Sequence, residues 1–270
     1  MSGQKALLIV HDFPPTSSAG VFRTVRFAKY LPAYGWEPLV LTASVGSGDE
    51  GGRRLLRDLP DGLRIERIRP WSWRRSAEKR TGGGGSSAES LEARDRNGMG
   101  RERGLSMRIA ASAWQFLTET PDRQVWWVGP AVRAGRRLIR EHRPEIVYTS
   151  GPPHSVHLIG LRLKRVEGLP WVADFRDPWA RRPWAKRRNP WGNRLAGRFE
   201  RFCVRFADRV ILNTDAAAEE FRRAYPGEPA EKFDVIPNGC DPDLAARAEA
   251  FLREASVRDR GLVRLLHPGS

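Results

Sequence analysis

The chain has 270 residues, of which 40% are hydrophobic, and this is typical of a soluble globular protein with one large or two small domains. Its 47 lysines and arginines outnumber its 32 aspartates and glutamates, so the formal net charge is +15. The sequence has no apolar run of about 18 residues that would span a membrane, and its polar start lacks a signal peptide's apolar region, so we expect a cytoplasmic protein.

A buried strand, a loop and a helix are predicted at the start of the chain. The apolar run Ala6–Val10 predicts a strand buried on both faces of a parallel sheet. Residues 11–20 form a polar, Pro-rich loop, and 21–34 predict a helix that Gly35 ends. Ligands of open α/β sheets bind at the carboxyl ends of strands, and helix N-termini favour anions. We therefore expect the active cleft at this loop.

Further strands and helices alternate along the chain. The predicted strands are residues 36–42, 63–69, 145–149, 171–175, 208–213 and 232–236. The predicted helices are residues 129–142, 155–167, 193–207 and 215–225. Residues 43–62 are predicted to be a connection and 121–127 a turn. This alternation predicts an α/β protein with a Rossmann-like, doubly wound, mainly parallel sheet.

Three segments are expected to lie outside this sheet. Residues 70–103 are rich in glycine and charge and poor in aliphatic side chains, which predicts a disordered insertion. Residues 104–117 show a basic amphipathic pattern, typical of a core helix or of a helix on an anionic membrane. We expect a domain over 1–241, a helical linker over 242–261, and over 262–270 the first strand of a second domain that is cut short.

The positive charge has two interpretations. Nearly all the basic residues are arginines, so an arginine-rich coding bias explains the charge as well as an acidic partner does. Arginines alternate with tryptophans over 71–75 and 180–188, a pattern that suits a membrane interface or single-stranded nucleic acid. Cys203 and Cys240 lie far apart, which indicates free buried thiols and no metal site.

Five segments, in order, resemble the N-terminal half of family 4 glycosyltransferases, which have the two-domain GT-B fold. These are 7–20 (LLIVHDFPPTSSAG), 30–42 (YLPAYGWEPLVLT), 144–153 (PEIVYTSGPP), 171–179 (WVADFRDPW), and 207–214 with 235–241 (ADRVILNT, VIPNGCD). The resemblance implies transfer of a sugar from a nucleotide sugar, with retention at the anomeric carbon, to a glycan or lipid-linked acceptor. It implies no cofactor and no obligatory metal. Because the nucleotide pocket belongs to the second domain, we expect this chain to be inactive alone.

The resemblance also implies roles for particular residues. The loop Ser18, Ala19 and Gly20 approaches the donor phosphates, where backbone N–H groups stabilise the charge of the leaving diphosphate. Asn238 and Gly239 form the turn between domains, where glycine would supply a positive φ.

Polar residues that follow the predicted strands are the remaining site candidates. Asp177 and Arg176 are predicted to be catalytic, Asp177 by accepting a proton or a hydroxyl hydrogen bond and Arg176 by binding a phosphate or sugar. Alternatively, Asp177 caps the turn before Pro178 and pairs with an arginine. The expected acceptor-binding residues are His11, Asp12, His154 and Trp179. For His154 the alternative is a cap at a helix N-terminus.

The sequence is also compatible with a second function, that of a non-enzymatic, basic Rossmann-like module that binds an anionic membrane or nucleic acid. Salt-dependent binding would distinguish it from an enzyme. For the glycosyltransferase hypothesis we expect a nucleotide sugar and a glycan or lipid-linked acceptor as partners, with peripheral membrane association and without nucleic acid. A Rossmann oxidoreductase is disfavoured because the G-x-G-x-x-G pattern is missing.

Overall fold

The computed structural model describes residues 3–44, 48–70, 122, 124–181, 190–239, 241, 242, 246 and 249. The chain divides into a unit of residues 1–237 and a unit of residues 238–270. Several predictions lie outside the described residues: the insertion beyond residue 70, the amphipathic segment 104–117, the Trp-Arg segment 71–75, most of 180–188, Cys240, most of the linker and the final strand.

The described residues form one sheet of seven parallel strands in the order β3-β2-β1-β4-β5-β6-β7. The strands are β1 Gln4–Val10, β2 Trp36–Ala43, β3 Arg64–Ile68, β4 Ile146–Gly151, β5 Trp171–Phe175, β6 Arg209–Leu212 and β7 Phe233–Val235. The α-helices are α1 Val21–Tyr30, α2 Glu50–Arg57, α3 Val125–His142, α4 Val156–Glu167, α5 Pro190–Phe206 and α6 Asp215–Ala224. Short 3-10 turns lie at Leu31–Tyr34 and Ala230–Lys232. The predicted doubly wound α/β fold is therefore confirmed.

The two faces of the sheet carry separate apolar cores. Successive side chains of a strand point to opposite faces, so Leu7 and Ile9 of β1 pack in one core and Leu8 and Val10 in the other. The larger core includes buried residues of α3, α4, α5 and α6. The smaller core includes residues of α1, with Leu55 of α2 packed against it. The sheet therefore has α1 on one face and α3 to α6 on the other.

Helix α2 corrects the prediction of an irregular connection over 43–62. Asp49 caps this helix, because its carboxylate accepts a hydrogen bond from the Gly52 N–H at 2.7 Å. Glycine disfavours a helix, which is why the pattern indicated a loop. Gly52 is nevertheless required by packing, since a Cβ there would lie 1.9 Å from the Pro15 carbonyl oxygen.

Other boundaries confirm the sequence pattern or change it slightly. Gly35 ends the first helical segment with a φ of +82°, as predicted. Helix α3 begins at Val125, so the predicted turn over 121–127 was wrong for its last residues, and Trp127 is fully buried. Cys203 is a buried free thiol, and burial raises its pKa. Among the described residues, no helix is long and apolar enough to cross a membrane.

Close packing of α4 on β5 gives a test of this fold. A Cβ on Gly160 would lie 2.3 Å from Nε1 of Trp171, whose indole is fully buried and donates to Thr149 Oγ1 at 2.8 Å. We expect Gly160→Ala to lower the free energy of unfolding by about 1–3 kcal/mol through overpacking. The control Gly197→Ala, on α5 with its nearest neighbour 3.8 Å from the new Cβ, should raise it by about 0.5–1 kcal/mol. Urea denaturation measures both, and equal effects of the two substitutions would contradict the packing.

Candidate functional site

The candidate site lies at the end of the sheet where β1, β4 and β5 finish, so that their carboxyl ends are side by side. β4 pairs with both β1 and β5, so the loops after these three strands are neighbours. These loops carry most of the residues predicted to act, because polar side chains follow each strand where it ends. The sheet therefore gathers residues that lie far apart in the sequence.

Arg176 joins the three loops through backbone carbonyl groups. Its guanidinium donates from Nη1 to the Gly20 carbonyl at 2.8 Å, from Nη2 to the Pro152 carbonyl at 2.6 Å and from Nε to the Gly151 carbonyl at 3.1 Å. A guanidinium has five N–H donors, so two remain that form no hydrogen bond within the described part of the chain. Arg176 thus links the three loops and has two N–H donors without a partner among the described residues.

His11 and Asp12 lie at the end of β1 and are linked to each other. Their side chains are 2.7 Å apart from Nδ1 to Oδ1. The hydrogen bond to His11 lowers the pKa of Asp12, and the nearby charge of Arg176 lowers it further, against the opposing effect of partial burial. The Asp12 side chain is 40% exposed, so the structure brings an accessible carboxylate close to Arg176.

Glu200 of α5 fixes the loop after β5 at the residues that follow Asp177. This carboxylate is fully buried, and its Oε2 accepts from the backbone N–H groups of Trp179 at 2.7 Å and Ala180 at 2.9 Å. Its Oε1 accepts from the Tyr225 hydroxyl at 2.5 Å and pairs with Arg181 at 2.9 Å. Burial and the Glu200 charge raise the pKa of Tyr225, so its hydroxyl stays protonated as a donor. Sequence analysis missed Glu200.

Asp177 lies between the two fixed points, Arg176 and the Glu200-bound backbone of Trp179 and Ala180. It is half-buried and makes no hydrogen bond or ion pair with any described residue. The alternative expectation, that Asp177 pairs with an arginine, does not hold within those residues. The loop therefore carries a carboxylate that remains available to a ligand.

A buried polar network lies on the face of the sheet that packs against α1, near the carboxyl end of β5. Asp174 is fully buried, and its carboxylate accepts from Arg23 at 2.7 and 3.1 Å, from Tyr148 at 2.5 Å and from Ser150 at 2.9 Å. Burial alone would lower the pKa of Arg23, but the Asp174 charge raises it. Burial and the same carboxylate raise the pKa of Tyr148. Arg23 also donates to the Pro237 carbonyl at 3.1 Å.

This network was also missed from the sequence, although a carboxylate inside the apolar strand WVADF was a usable signal. A buried charge needs a partner, and Arg23 lies in the first turn of α1. The pair therefore holds the N-terminal turn of α1 against β5.

The loop of Ser18, Ala19 and Gly20 leads directly into α1. Ser18 and Ala19 are exposed, and Gly20 is the N-cap. Within the described residues no side chain caps this helix, and its first turn contains no acidic residue. An uncapped helix start leaves backbone N–H groups open to an anion.

Two predicted acceptor-binding residues lie in the core. His154 is 3% exposed and Trp179 is fully buried, with their rings stacked at 5.3 Å. The prediction of acceptor contact therefore does not fit this conformation, since neither ring offers a surface to a ligand. His154 is not the N-cap of α4 either, since Ser155 occupies that position.

Asn238 and Gly239 are exposed and begin the second unit. The expectation of a positive φ at Gly239 was wrong, because its φ lies outside the left-handed region. Among the described residues, no group of three or more His, Cys, Asp or Glu side chains could hold a metal ion.

Comparisons with known proteins bear on this arrangement. The family model for Glycosyltransferase Family 4 matches residues 108–244. The search of curated protein sequences gives no match.

Solved structures give the following similarities. Sucrose-phosphate synthase from Thermosynechococcus elongatus has a TM-score of 0.50 and 15% identity, over 93% of this chain and 52% of that one. UDP-GlcNAc 2-epimerase from Neisseria meningitidis bound to UDP-GlcNAc has a TM-score of 0.49 and 8% identity, over 92% and 50%. MurG from Acinetobacter baumannii has a TM-score of 0.45 and 15% identity, over 90% and 48%. This chain thus spans about half the length of these proteins.

The three-carbonyl contact of Arg176 can be tested by Arg176→Lys. A single ammonium group lacks the planar fork that reaches three acceptors, so we expect the free energy of unfolding to fall by about 1–3 kcal/mol. Arg57→Lys, at an exposed position of α2, should change it by less than about 0.5 kcal/mol. Urea denaturation measures both. If Arg176→Lys were as stable as the control, Arg176 would not hold the loops together.

Burial of His157 predicts a dependence of stability on pH. Its ring is fully buried, its Nδ1 lies 2.9 Å from Thr149 Oγ1, and burial lowers its pKa to about 3, helped by the Arg176 charge. An unfolded histidine has a pKa of about 6.5, so between these values the unfolded state binds one more proton. Stability is therefore lost as the pH falls below about 6.5.

We expect His157→Gln to reduce the loss of unfolding free energy between pH 7.5 and 5.5 by about 1 kcal/mol. Urea denaturation at the two pH values measures this loss, with an unchanged m-value as the check for two-state unfolding. The same loss in wild type and variant would show that His157 is not held neutral by the fold.

Proposed function

Because the chain belongs to glycosyltransferase family 4 and its sheet is one half of a GT-B fold, we propose that the protein transfers a sugar from a nucleotide sugar to an acceptor hydroxyl, with retention. The acceptor is a glycan or a lipid-linked saccharide, and no cofactor takes part. In this proposal the unit 1–237 holds the acceptor and contributes one phosphate-binding loop, while the nucleotide binds mainly to another domain.

The availability of Asp177 is the observation that carries this proposal. Arg176 and Glu200 fix the backbone on both sides of Asp177, yet its own carboxylate has no partner among the described residues. A carboxylate on a backbone that is fixed on both sides can accept a hydrogen bond from a sugar hydroxyl without movement of the loop. We assign Asp177 this role toward the reacting sugars, with Asp12 as a second acceptor of hydroxyl hydrogen bonds.

The N-terminus of α1 supports the assignment of the phosphate loop. During transfer, the bond between the anomeric carbon and the diphosphate oxygen breaks, a bond to the acceptor oxygen forms, and the proton of the acceptor hydroxyl passes to the departing diphosphate. The departing diphosphate gains negative charge, which oriented backbone N–H groups stabilise. The exposed loop at Ser18, Ala19 and Gly20 offers such groups, and Arg176 has two N–H donors for the same charge.

The test measures sugar transfer by the purified chain with a panel of UDP-, GDP- and dTDP-sugars, with membrane extract as the source of acceptor. We expect Asp177→Asn to lower any turnover by about 100-fold or more. As a control, Asp61→Asn should leave turnover unchanged. Asp61 is an exposed carboxylate that precedes β3, so it lies at the end of the sheet where the strands begin.

A second measurement applies if the chain binds a nucleotide sugar but shows no turnover. Amide NMR with the same nucleotide sugars and with diphosphate should shift the signals of Ser18, Ala19 and Gly20. Turnover that survives Asp177→Asn would overturn the assigned role. The proposed function itself would fail if neither turnover nor shifts at this loop were seen with any donor.

A further inference from the structure

The outward surfaces of α4 and α5 form a continuous face that the candidate site does not use. The two helices pack side by side, and the Arg165 guanidinium of α4 lies over the Phe206 ring of α5, 5.8 Å from its centre. We define the α4–α5 face as the exposed positions of α4 from Arg162 to Val166 and of α5 from Arg198 to Phe206.

Large apolar side chains are concentrated on this face. Val166 is 56% exposed, Phe202 51% and Phe206 38%. Phe202 and Phe206 are four residues apart on one helix, so their side chains are neighbours. Isolated exposed apolar residues are common in soluble proteins, whereas a cluster marks an interaction surface.

The same face carries positive charge on α5 that pairs with no carboxylate in the ranges the structure describes, while nearby Lys164 and Asp208 form an ion pair at 2.8 Å. Arg198, Arg201 and Arg205 pair with no carboxylate within the described parts of the chain. The acidic residue of α5, Glu200, is fully buried and turned toward the candidate site, and that of α4, Glu167, forms an ion pair with α3. The face thus combines guanidinium groups with exposed aromatic rings.

We propose that the α4–α5 face binds the surface of an anionic lipid bilayer. Arginines attract anionic headgroups and hydrogen-bond their phosphates, and phenylalanine rings enter the boundary between headgroups and acyl chains. Both parts are needed, because a single weak attachment to a membrane is readily reversed. The positive charge of the face is complementary to the anionic headgroups, and its apolar cluster is suited to contact with the acyl chains beneath them.

Two details favour a bilayer over single-stranded nucleic acid. Arg165 lies over one face of the Phe206 ring, so a base cannot stack on that face. Val166 contributes apolar surface but no ring for stacking. The cluster is therefore suited to burial in acyl chains.

The position of this face is compatible with the candidate site. Helix α1, which the phosphate loop precedes, packs on the other face of the sheet from α4 and α5. Bilayer contact through α4 and α5 thus leaves that loop uncovered. The inference goes beyond the proposed function, and its test does not depend on sugar transfer.

Vesicle co-sedimentation of the 270-residue chain tests the proposal. Vesicles of phosphatidylcholine with about 30% phosphatidylglycerol are compared with pure phosphatidylcholine vesicles. We expect binding to the anionic vesicles that is at least about tenfold tighter and that weakens with salt. Arg201→Gln with Arg205→Gln should weaken binding by about 10- to 30-fold. Phe202→Ser with Phe206→Ser should weaken it by at least about tenfold.

Matched controls separate this face from the overall charge of the chain. Arg57→Gln with Arg69→Gln removes the same charge from exposed positions near β3, and Tyr34→Ser removes an exposed ring near the start of β2. Neither control should change binding by more than about twofold, since surface charges act over about a Debye length. Thermal unfolding checks that each variant is folded.

Three outcomes would overturn the proposal. One is that the chain binds neither kind of vesicle. Another is equal weakening by the control pair and the α4–α5 pairs, which would mean binding through net charge alone. The third is that the phenylalanine pair abolishes binding to a single-stranded oligonucleotide, or self-association of the chain, while vesicle binding is unaffected.

Discussion

The fully buried carboxylate of Asp174 is the constraint on which the candidate site depends. A buried carboxyl group without hydrogen-bond partners is very unfavourable, and Arg23, Tyr148 and Ser150 all donate to this one. Removing one partner of such a pair costs about 3–5 kcal/mol. The requirement fixes the first turn of α1 against β4 and β5, and with it the loop that precedes α1. A charge in the core thus determines where backbone donors lie at the sheet edge.

Arg176 and Glu200 have complementary roles around the loop after β5. Backbone carbonyls of the three loops need donors, which Arg176 supplies, and two backbone N–H groups need an acceptor, which Glu200 supplies. Together they satisfy these hydrogen-bonding groups without involving the Asp177 side chain. Catalytic and binding groups are effective when the residues around them are held in place. This division of contacts is the physical basis for assigning the site to Asp177.

The sequence predicted the region of the site but not which of its residues are accessible. Polar residues after β1, β4 and β5 were recognised because apolar runs end there. His154 and Trp179 follow the same rule, yet both are buried, with His154 beside His157 of α4 and Trp179 beside Phe199 of α5. Glu200 lies on a helix far along the chain, and its role depends on Trp179 and Ala180 coming to it. No local pattern reports such a contact.

The sequence alone determined the α/β class, the alternation of elements and the family resemblance, because apolar periodicity and turn residues act over a few positions. Tertiary structure decided what depends on distant residues. Helix α2 contains Gly52 because its backbone passes close to Pro15, where a Cβ does not fit. The Asp174 carboxylate is accommodated in the core because Arg23 lies opposite it. The packed structure also decides that Glu200 points inward and that the arginines and phenylalanines of α5 face outward, since burial is a property of the packed chain and not of its local pattern.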